Sequence, residues 1–197
     1  LTQQGYWKAD AIPARQESGG SLRLVFTVNR GRQYRIAEGG VEVGGNRAVA
    51  IEQLRPALLK LQANDIFIEA NLGAAVSAIA GQYQRLGYAQ AKVAAGLNEV
   101  PSTSPALGLV RPVITITEGP LTVVGAVTFE GNEKVPADQL RGVVTSQTGA
   151  PYFEPRVVAD RESVLLEYRN RGFASANVVV SPTPTASSPL RSRSSSG

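Results

Sequence analysis

Apolar and polar residues alternate along several short stretches of the chain and step helically along others. Leu24, Phe26 and Val28 alternate within 22–31, as Ile114 and Ile116 do within 110–120. Val41-x-Val43 and Val127-x-Phe129 are shorter examples. A period of two is the mark of a strand with one buried face. Leu72, Val76, Ile79, Tyr83 and Leu86 step by four, three, four and three, which draws one apolar stripe along a helix. Val157, Val164 and Tyr168 make a second stripe, broken by Arg161. Ile51, Leu54, Leu58 and Leu61 predict an earlier helix that Pro56 keeps short or bent.

These elements recur. Gly5-Tyr6…Ala9, Gly87-Tyr88…Ala91 and Gly172-Phe173…Ala176 repeat one spacing, with Gly5 and Gly87 82 residues apart and Gly87 and Gly172 85 apart. Val41, Val43, Gly45-Asn46 and Leu54 return 86 residues later as Val127, Phe129, Gly131-Asn132 and Leu140. Glycine after a helical stripe suits the left-handed residue that closes a helix, so the following aromatic can turn back onto the core. Gly-Asn after a strand predicts a tight turn.

The order is strand, helix, helix, strand, strand. The chain divides on this reading into the back part of one unit (1–31), a complete unit (32–120), a unit without its last strand (121–180) and a Pro- and Ser-rich tail (181–197). The tail predicts disorder or a vector origin. Because residue 1 falls inside a unit, the sequence reads as a fragment, and no signal segment is read at its start. Both incomplete units predict strand exchange, within the chain or between chains, because unpaired edges recruit strands.

Composition narrows the chemistry. There is no Cys and no His in 197 residues, which excludes disulfides, thiolate and imidazole chemistry and the usual zinc sites. Nothing approaches 18 uninterrupted apolar residues. The net charge is +4, and Arg191 and Arg193 of the tail account for two of it, so the sequence pI of 9.6 overstates the basic character. Asp65, Glu69, Asp160 and Glu162 lack a paired nucleophile or metal-ligand spacing, so no catalytic, cofactor or metal residue is assigned and no enzyme is expected. Strand-helix-helix-strand order also occurs in KH modules, but neither 62–67 nor 149–155 carries their Gly-x-x-Gly loop, and no nucleic-acid partner is expected. Arg30, Arg32 and Arg35 cluster at the first junction, where a solvated face is the simplest reading.

A β-α-α-β-β unit of this length, with Gly-Asn after its first strand and Gly-aromatic after its second helix, resembles the polypeptide-transport-associated (POTRA) domain. The resemblance covers residues 1–180. It implies an α+β fold of tandem units, each a three-stranded mixed sheet packed against two antiparallel helices. It implies a periplasmic module in front of an outer-membrane barrel of the BamA or TamA type or of a two-partner-secretion transporter. The partners would be unfolded outer-membrane polypeptides, accessory assembly proteins and a C-terminal β-barrel in the parent protein. A single-span division protein of the FtsQ kind carries one such domain and is the second reading. Recognition would be β-augmentation, in which backbone groups of a sheet edge pair with a client strand whatever its sequence. The expected edges are Tyr88–Ala95 and Phe173–Val180. Their contact residues would be Tyr88, Ala89, Gln90, Ala91, Lys92 and Val93 in one, and Phe173, Ala174, Ser175, Ala176, Asn177 and Val178 in the other. Gly31, Arg32, Gly119 and Pro120 are the expected hinges between units.

Overall fold

The structure, a computed structural model, describes residues 1–18 and 20–183. Two compact units emerge, Leu1–Leu121 and the residues from Thr122 onward. The first opens on a 3-10 turn, Thr2–Gln4, followed by a hairpin of β1 (Asp10–Ser18) and β2 (Ser21–Asn29). A mixed sheet follows, built from β3 (Gln33–Ile36), β4 (Glu42–Gly44), β5 (Lys92–Val100) and β6 (Leu107–Thr117). Strand β6 is central. It pairs parallel with β3 and β4 along one side and antiparallel with β5 along the other.

One proline shows how closely the sequence matches this pairing. Pro112 stands in the middle of the central strand and has no N–H to give. The carbonyl of Val110 accepts from Ala37 N on the β3 side, so the backbone groups two residues on face that side too. There the chain leaves the sheet through 37–41, between the β3 and β4 ladders. The missing donor therefore falls at the one gap in the ladder.

Two helices cover one face of the sheet. The first is short, α1 (Ile51–Leu54), and runs straight into the 3-10 turn Arg55–Leu58 at Pro56. Leu54, Leu58 and Leu61 are buried as their spacing predicts, but Ile51 is exposed, because the 3-10 turn rotates the stripe away from it. The second helix, α2 (Glu69–Arg85), buries Leu72, Ala75, Ile79 and Tyr83. Ala75 replaces the expected Val76 on the core face, and Leu86 ends exposed beyond the helix. Opposite them lie Val110, Pro112, Ile114 and Ile116 of β6, the alternate residues of that strand.

The Gly-aromatic motif has the same geometry in all three copies. Gly5, Gly87 and Gly172 are left-handed, with φ of 84, 93 and 90°. Each following aromatic N–H closes the helical end by donating five residues back, Tyr6 to Leu1, Tyr88 to Tyr83 and Phe173 to Tyr168. Each aromatic carbonyl then accepts from the Ala three residues on, Ala9, Ala91 or Ala176. Tyr88 meets Tyr83 edge-to-face at 5.7 Å, and Phe173 meets Tyr168 at 5.8 Å. The motif is a helix closure, an aromatic plug and a turn in one segment.

That turn corrects one expectation. Residues 88–91 are spent on it, so the strand begins at Lys92 and runs to Val100 instead of spanning 88–95.

The second unit contains α3 (Ala137–Val143) and α4 (Glu154–Asn170), packed through Val135, Leu140 and Val164. The Gly-Asn turns of the two units match closely. Asn46 Nδ2 donates to the Val49 carbonyl at 3.1 Å, and Asn132 Nδ2 to that of Val135 at 3.0 Å. Asp160 of α4 is buried and accepts from Thr145 N, Thr145 Oγ1 and Ser146 N, which fastens the segment after α3.

The expected strands 127–129 and 173–180 form no ladder among the described residues. In the first unit the counterparts of both pair with the central strand β6, not with each other. Among the described residues no equivalent of β6 lies between them for either segment to pair with. The proline- and serine-rich tail expected at 181–197 lies, from residue 184 on, outside the described residues.

Gly45 and Gly131 report this difference directly. A Cβ on Gly45 would stand 1.9 Å from the Ile116 carbonyl oxygen, whereas one on Gly131 would meet nothing within 4 Å. Both glycines have positive φ. Gly131→Ala should therefore cost only the left-handed strain, about 1 kcal/mol, and Gly45→Ala about 3 kcal/mol or more, because β6 must also move. Hydrogen exchange resolved by residue measures the two units separately; equal losses in both would contradict this packing.

Candidate functional site: the free edge of β5

A sheet edge recognises through the backbone groups that its own neighbour leaves unpaired. Strand β5 has β6 on one side and nothing along the other among the described residues. Parity decides which residues face outward. On β6 the even residues point their N–H and C=O toward β3 and β4, as Val110 does, so the odd residues serve β5. Those odd residues stand opposite Lys92, Ala94, Gly96, Asn98 and Val100. The outward groups therefore belong to Val93, Ala95, Leu97 and Glu99.

Side chains leave that edge open. Val93 and Leu97 turn inward and pack against the core. Ala94, Ala95 and Gly96 are exposed and small, so a second backbone can approach the middle of the strand without a bulky neighbour. Lys92 and Glu99 bracket this stretch with opposite charge, and Lys8 forms an ion pair with Glu99. The hydrogen bond from the ammonium to Glu99 raises the Lys8 pKa.

The expected contact residues divide accordingly. Of the first set, Lys92 and Val93 lie in β5, and Tyr88, Ala89, Gln90 and Ala91 form the turn before it. Within the strand, Lys92 directs its backbone to Thr117, leaving Val93 as the first outward position. The second set does not make an edge. Phe173 plugs the helix end, Ala174 and Ser175 form a turn, and Ala176 closes it. Asn177 is exposed, and Val178 packs on the core while its carbonyl accepts from Arg161 Nε at 2.7 Å. Ala95 lies at the end of the expected edge, and Leu97 and Glu99 lie beyond it. Ala95, small and exposed between Val93 and Leu97, weakens the period-two signal through the middle of the strand.

The junction residues have definite settings too. Gly31 and Gly119 are left-handed, with φ of 64 and 70°, and Arg32 and Pro120 are exposed. Next to Gly31, Trp7 lies edge-to-face on Tyr34 at 5.6 Å and on Phe67 at 5.7 Å. Tyr34 N donates to the Gly5 carbonyl at 2.7 Å. Residues 5–8 thus brace the hairpin against the sheet that follows it. Arg30 covers the Tyr6 ring at 5.1 Å, and Arg35 donates to the Asn64 carbonyl, so two of the three clustered arginines are engaged locally.

Glu118 ends the central strand as a clamp. Its Oε1 accepts from Ala48 N at 2.7 Å and from Tyr83 Oη at 2.8 Å, tying the Gly-Asn turn and α2 to the end of β6. Desolvation pushes the Glu118 carboxyl up, but the bonds donated by Ala48 and Tyr83 outweigh it and hold the pKa below the usual value. Asp160 behaves alike, with burial opposed and exceeded by the donors of Ser146 and Thr145. Burial, aided by the Glu118 bond, raises the Tyr83 phenol.

A mixed sheet with a central last strand, a helix pair on one face and one open edge defines an α+β module. The chain matches the family described as POTRA, surface antigen variable number repeat, over residues 34–119 and 122–191, and it belongs to that family. An outer membrane protein assembly factor of Treponema pallidum (strain Nichols) is 28% identical over 162 residues, which are 80% of this chain and 18% of that protein. Among solved structures, Haemophilus influenzae BamA POTRA3-5 superposes with a TM-score of 0.50 at 24% identity, covering 83% of this chain and 63% of that one. The N-terminal domain of Omp85 from Thermosynechococcus elongatus is 20% identical, with a TM-score of 0.35, over 86% and 67% of the two chains. The chain thus spans about a fifth of the curated relative and under two thirds of the BamA fragment.

Both clamped carboxyls are held lower in the fold than in an unfolded chain. Their stabilisation is complete above the unfolded values near about 4 and is lost as pH falls through and below that range. The urea midpoint should therefore drop between neutral pH and pH of about 3. Glu118→Gln should flatten that drop for the first unit and Asp160→Asn for the second, each with a lower midpoint at neutral pH. A variant that keeps the full wild-type pH dependence would remove its carboxylate from this account.

Proposed function

We propose that this chain is a periplasmic module of an outer-membrane protein assembly system, and that the free edge of β5 binds extended polypeptide by β-augmentation. Membership of the POTRA family and the relation to an outer membrane protein assembly factor support the setting. The open edge, with outward backbone groups at Val93, Ala95, Leu97 and Glu99 and small exposed side chains between them, carries the mechanism. The clients on this reading are unfolded outer-membrane polypeptides and accessory assembly proteins, delivered toward a C-terminal barrel in the parent protein. Backbone pairing is indifferent to side chains, which suits a surface that meets many sequences. Gly31, Arg32, Gly119 and Pro120 would let successive units articulate. The work is binding and positioning, with no bond made or broken.

Two proline substitutions separate recognition from folding. Ala95→Pro removes an outward N–H and sets a ring in the path of an incoming strand, and edge positions tolerate proline. It should weaken an alternating apolar–polar peptide about tenfold, near the worth of one or two backbone hydrogen bonds, with the fold intact. Ala94→Pro removes a bond to β6 instead and should lower the melting temperature. NMR titration reads both, and unchanged peptide affinity in the folded Ala95→Pro protein would reject the β5 edge as the binding surface.

A further inference from the structure

The two faces of β5 differ in chemistry. Val93 and Leu97 pack toward the helices, and alternation puts Ala95 and Glu99 in the same row. Lys92, Ala94, Gly96 and Asn98 form the row on the helix-free face. In the first row Ala95 is exposed between two larger, half-buried side chains, which makes a notch at the middle of the edge. The second row is small and polar, and Lys92 stands at its start.

Charge along the edge is uneven. Glu99 is compensated by Lys8, whose ammonium also lies 5.4 Å from the Trp7 ring and 5.7 Å from that of Tyr34. Lys92 is exposed and has no ion-pair partner among the described residues. Its neighbour across the ladder is the uncharged Thr117, and the turn before it, 88–91, carries no charge. Glu118, one residue past Thr117, commits its Oε1 to Ala48 and Tyr83 on the helix side. The edge therefore presents one uncompensated charge, positive, at the end where β5 begins.

An antiparallel partner exchanges both hydrogen bonds with each outward residue and sets its side chains on the same face as the residue opposite. Antiparallel pairing is also the more stable of the two arrangements per residue. A client laid that way runs from Glu99 toward Lys92. We propose, resting on the reading of β5 as the client edge, that this edge selects an antiparallel amphipathic strand with a large apolar residue opposite Ala95 and an acidic residue opposite Lys92. Along the client the order is apolar, polar, large apolar, polar, apolar, acidic. The large side chain fills the notch between Val93 and Leu97, its diagonal neighbours. The carboxylate meets the free ammonium. A strand laid parallel would bring its amino-terminal end to Lys92 and its acid to the end that Lys8 already compensates. Backbone bonds supply affinity for any client, and these two side-chain contacts fix direction and register.

NMR titration of the isotope-labelled chain with the capped peptide Thr-Thr-Val-Thr-Phe-Thr-Val-Glu tests this. A nitroxide on the peptide's amino terminus should broaden Asn98 and Glu99 more strongly than Lys92 and Val93. Replacing the final Glu by Lys should weaken binding about fivefold at low salt, the worth of one cross-strand charge pair, and high salt should shrink the difference. Lys92→Glu changes an exposed side chain, so the fold should stay intact while the preference reverses and the Lys peptide binds more tightly. Ala95→Leu fills the notch and should remove the advantage of Phe over Ala at the peptide's centre. Suppose binding is lost in Ala95→Pro, yet the Glu and Lys peptides bind equally to wild type and to Lys92→Glu. That result would overturn the selection and leave the β5 edge as the client site. Stronger broadening at Lys92 than at Glu99 would overturn the direction. Absence of binding by every peptide, or binding undiminished by Ala95→Pro, would reject the edge itself and this selection with it.

Discussion

The fold depends on one backbone pairing, that of β6 with neighbours on both sides. In the first unit this strand arrives last and bonds to two parallel partners and one antiparallel partner. Every other strand of that sheet is held through it. Its alternate residues Val110, Pro112, Ile114 and Ile116 also form the floor on which the helices rest. Glu118 then pins its end to the Gly-Asn turn and to Tyr83. Backbone satisfaction, apolar burial and the carboxylate clamp therefore converge on eleven residues and their immediate continuation. The second unit is the internal control. Its helices, helix closure and Gly-Asn turn are present, yet among the described residues its strand segments form no ladder and no central strand stands between them.

The same constraint explains why the open edge of this sheet falls on β5. A sheet order with the last strand in the middle leaves the penultimate strand on the outside, committed to the core by Val93 and Leu97 and open along its other edge. Exposed edges are usually blunted by charge, proline or short length. Here Lys92 and Glu99 mark the two ends, and the middle is Ala-Ala-Gly. An edge of nine residues with small side chains at its centre is suited to pairing with another backbone.

Much of this was legible along the chain. Period-two and helical stripes placed both helix pairs, and the triplicated Gly-aromatic motif marked the units, because each element is stabilised by contacts within a few residues. Where local propensity and tertiary demand coincide, as in the closures at Gly87 and Gly172, sequence reasoning succeeds. It failed where a few degrees of backbone rotation decide the outcome. The 3-10 turn after α1 released Ile51 from the core, and the core face of α2 took Ala75 in place of Val76. Trp7 gave no periodic signal, since its partners Tyr34 and Phe67 are distant in sequence.

By itself the sequence determined the unit order, the helix ends, the family resemblance and the absence of cysteine and histidine chemistry, all of which rest on residue identity or short-range geometry. Only the tertiary structure decided which residues of β5 turn their backbone outward, where that strand begins, and that 173–180 is no edge at all. The reason is the same in each case. A strand's free side is defined by what occupies its other side, and that is a relation between segments far apart in the chain.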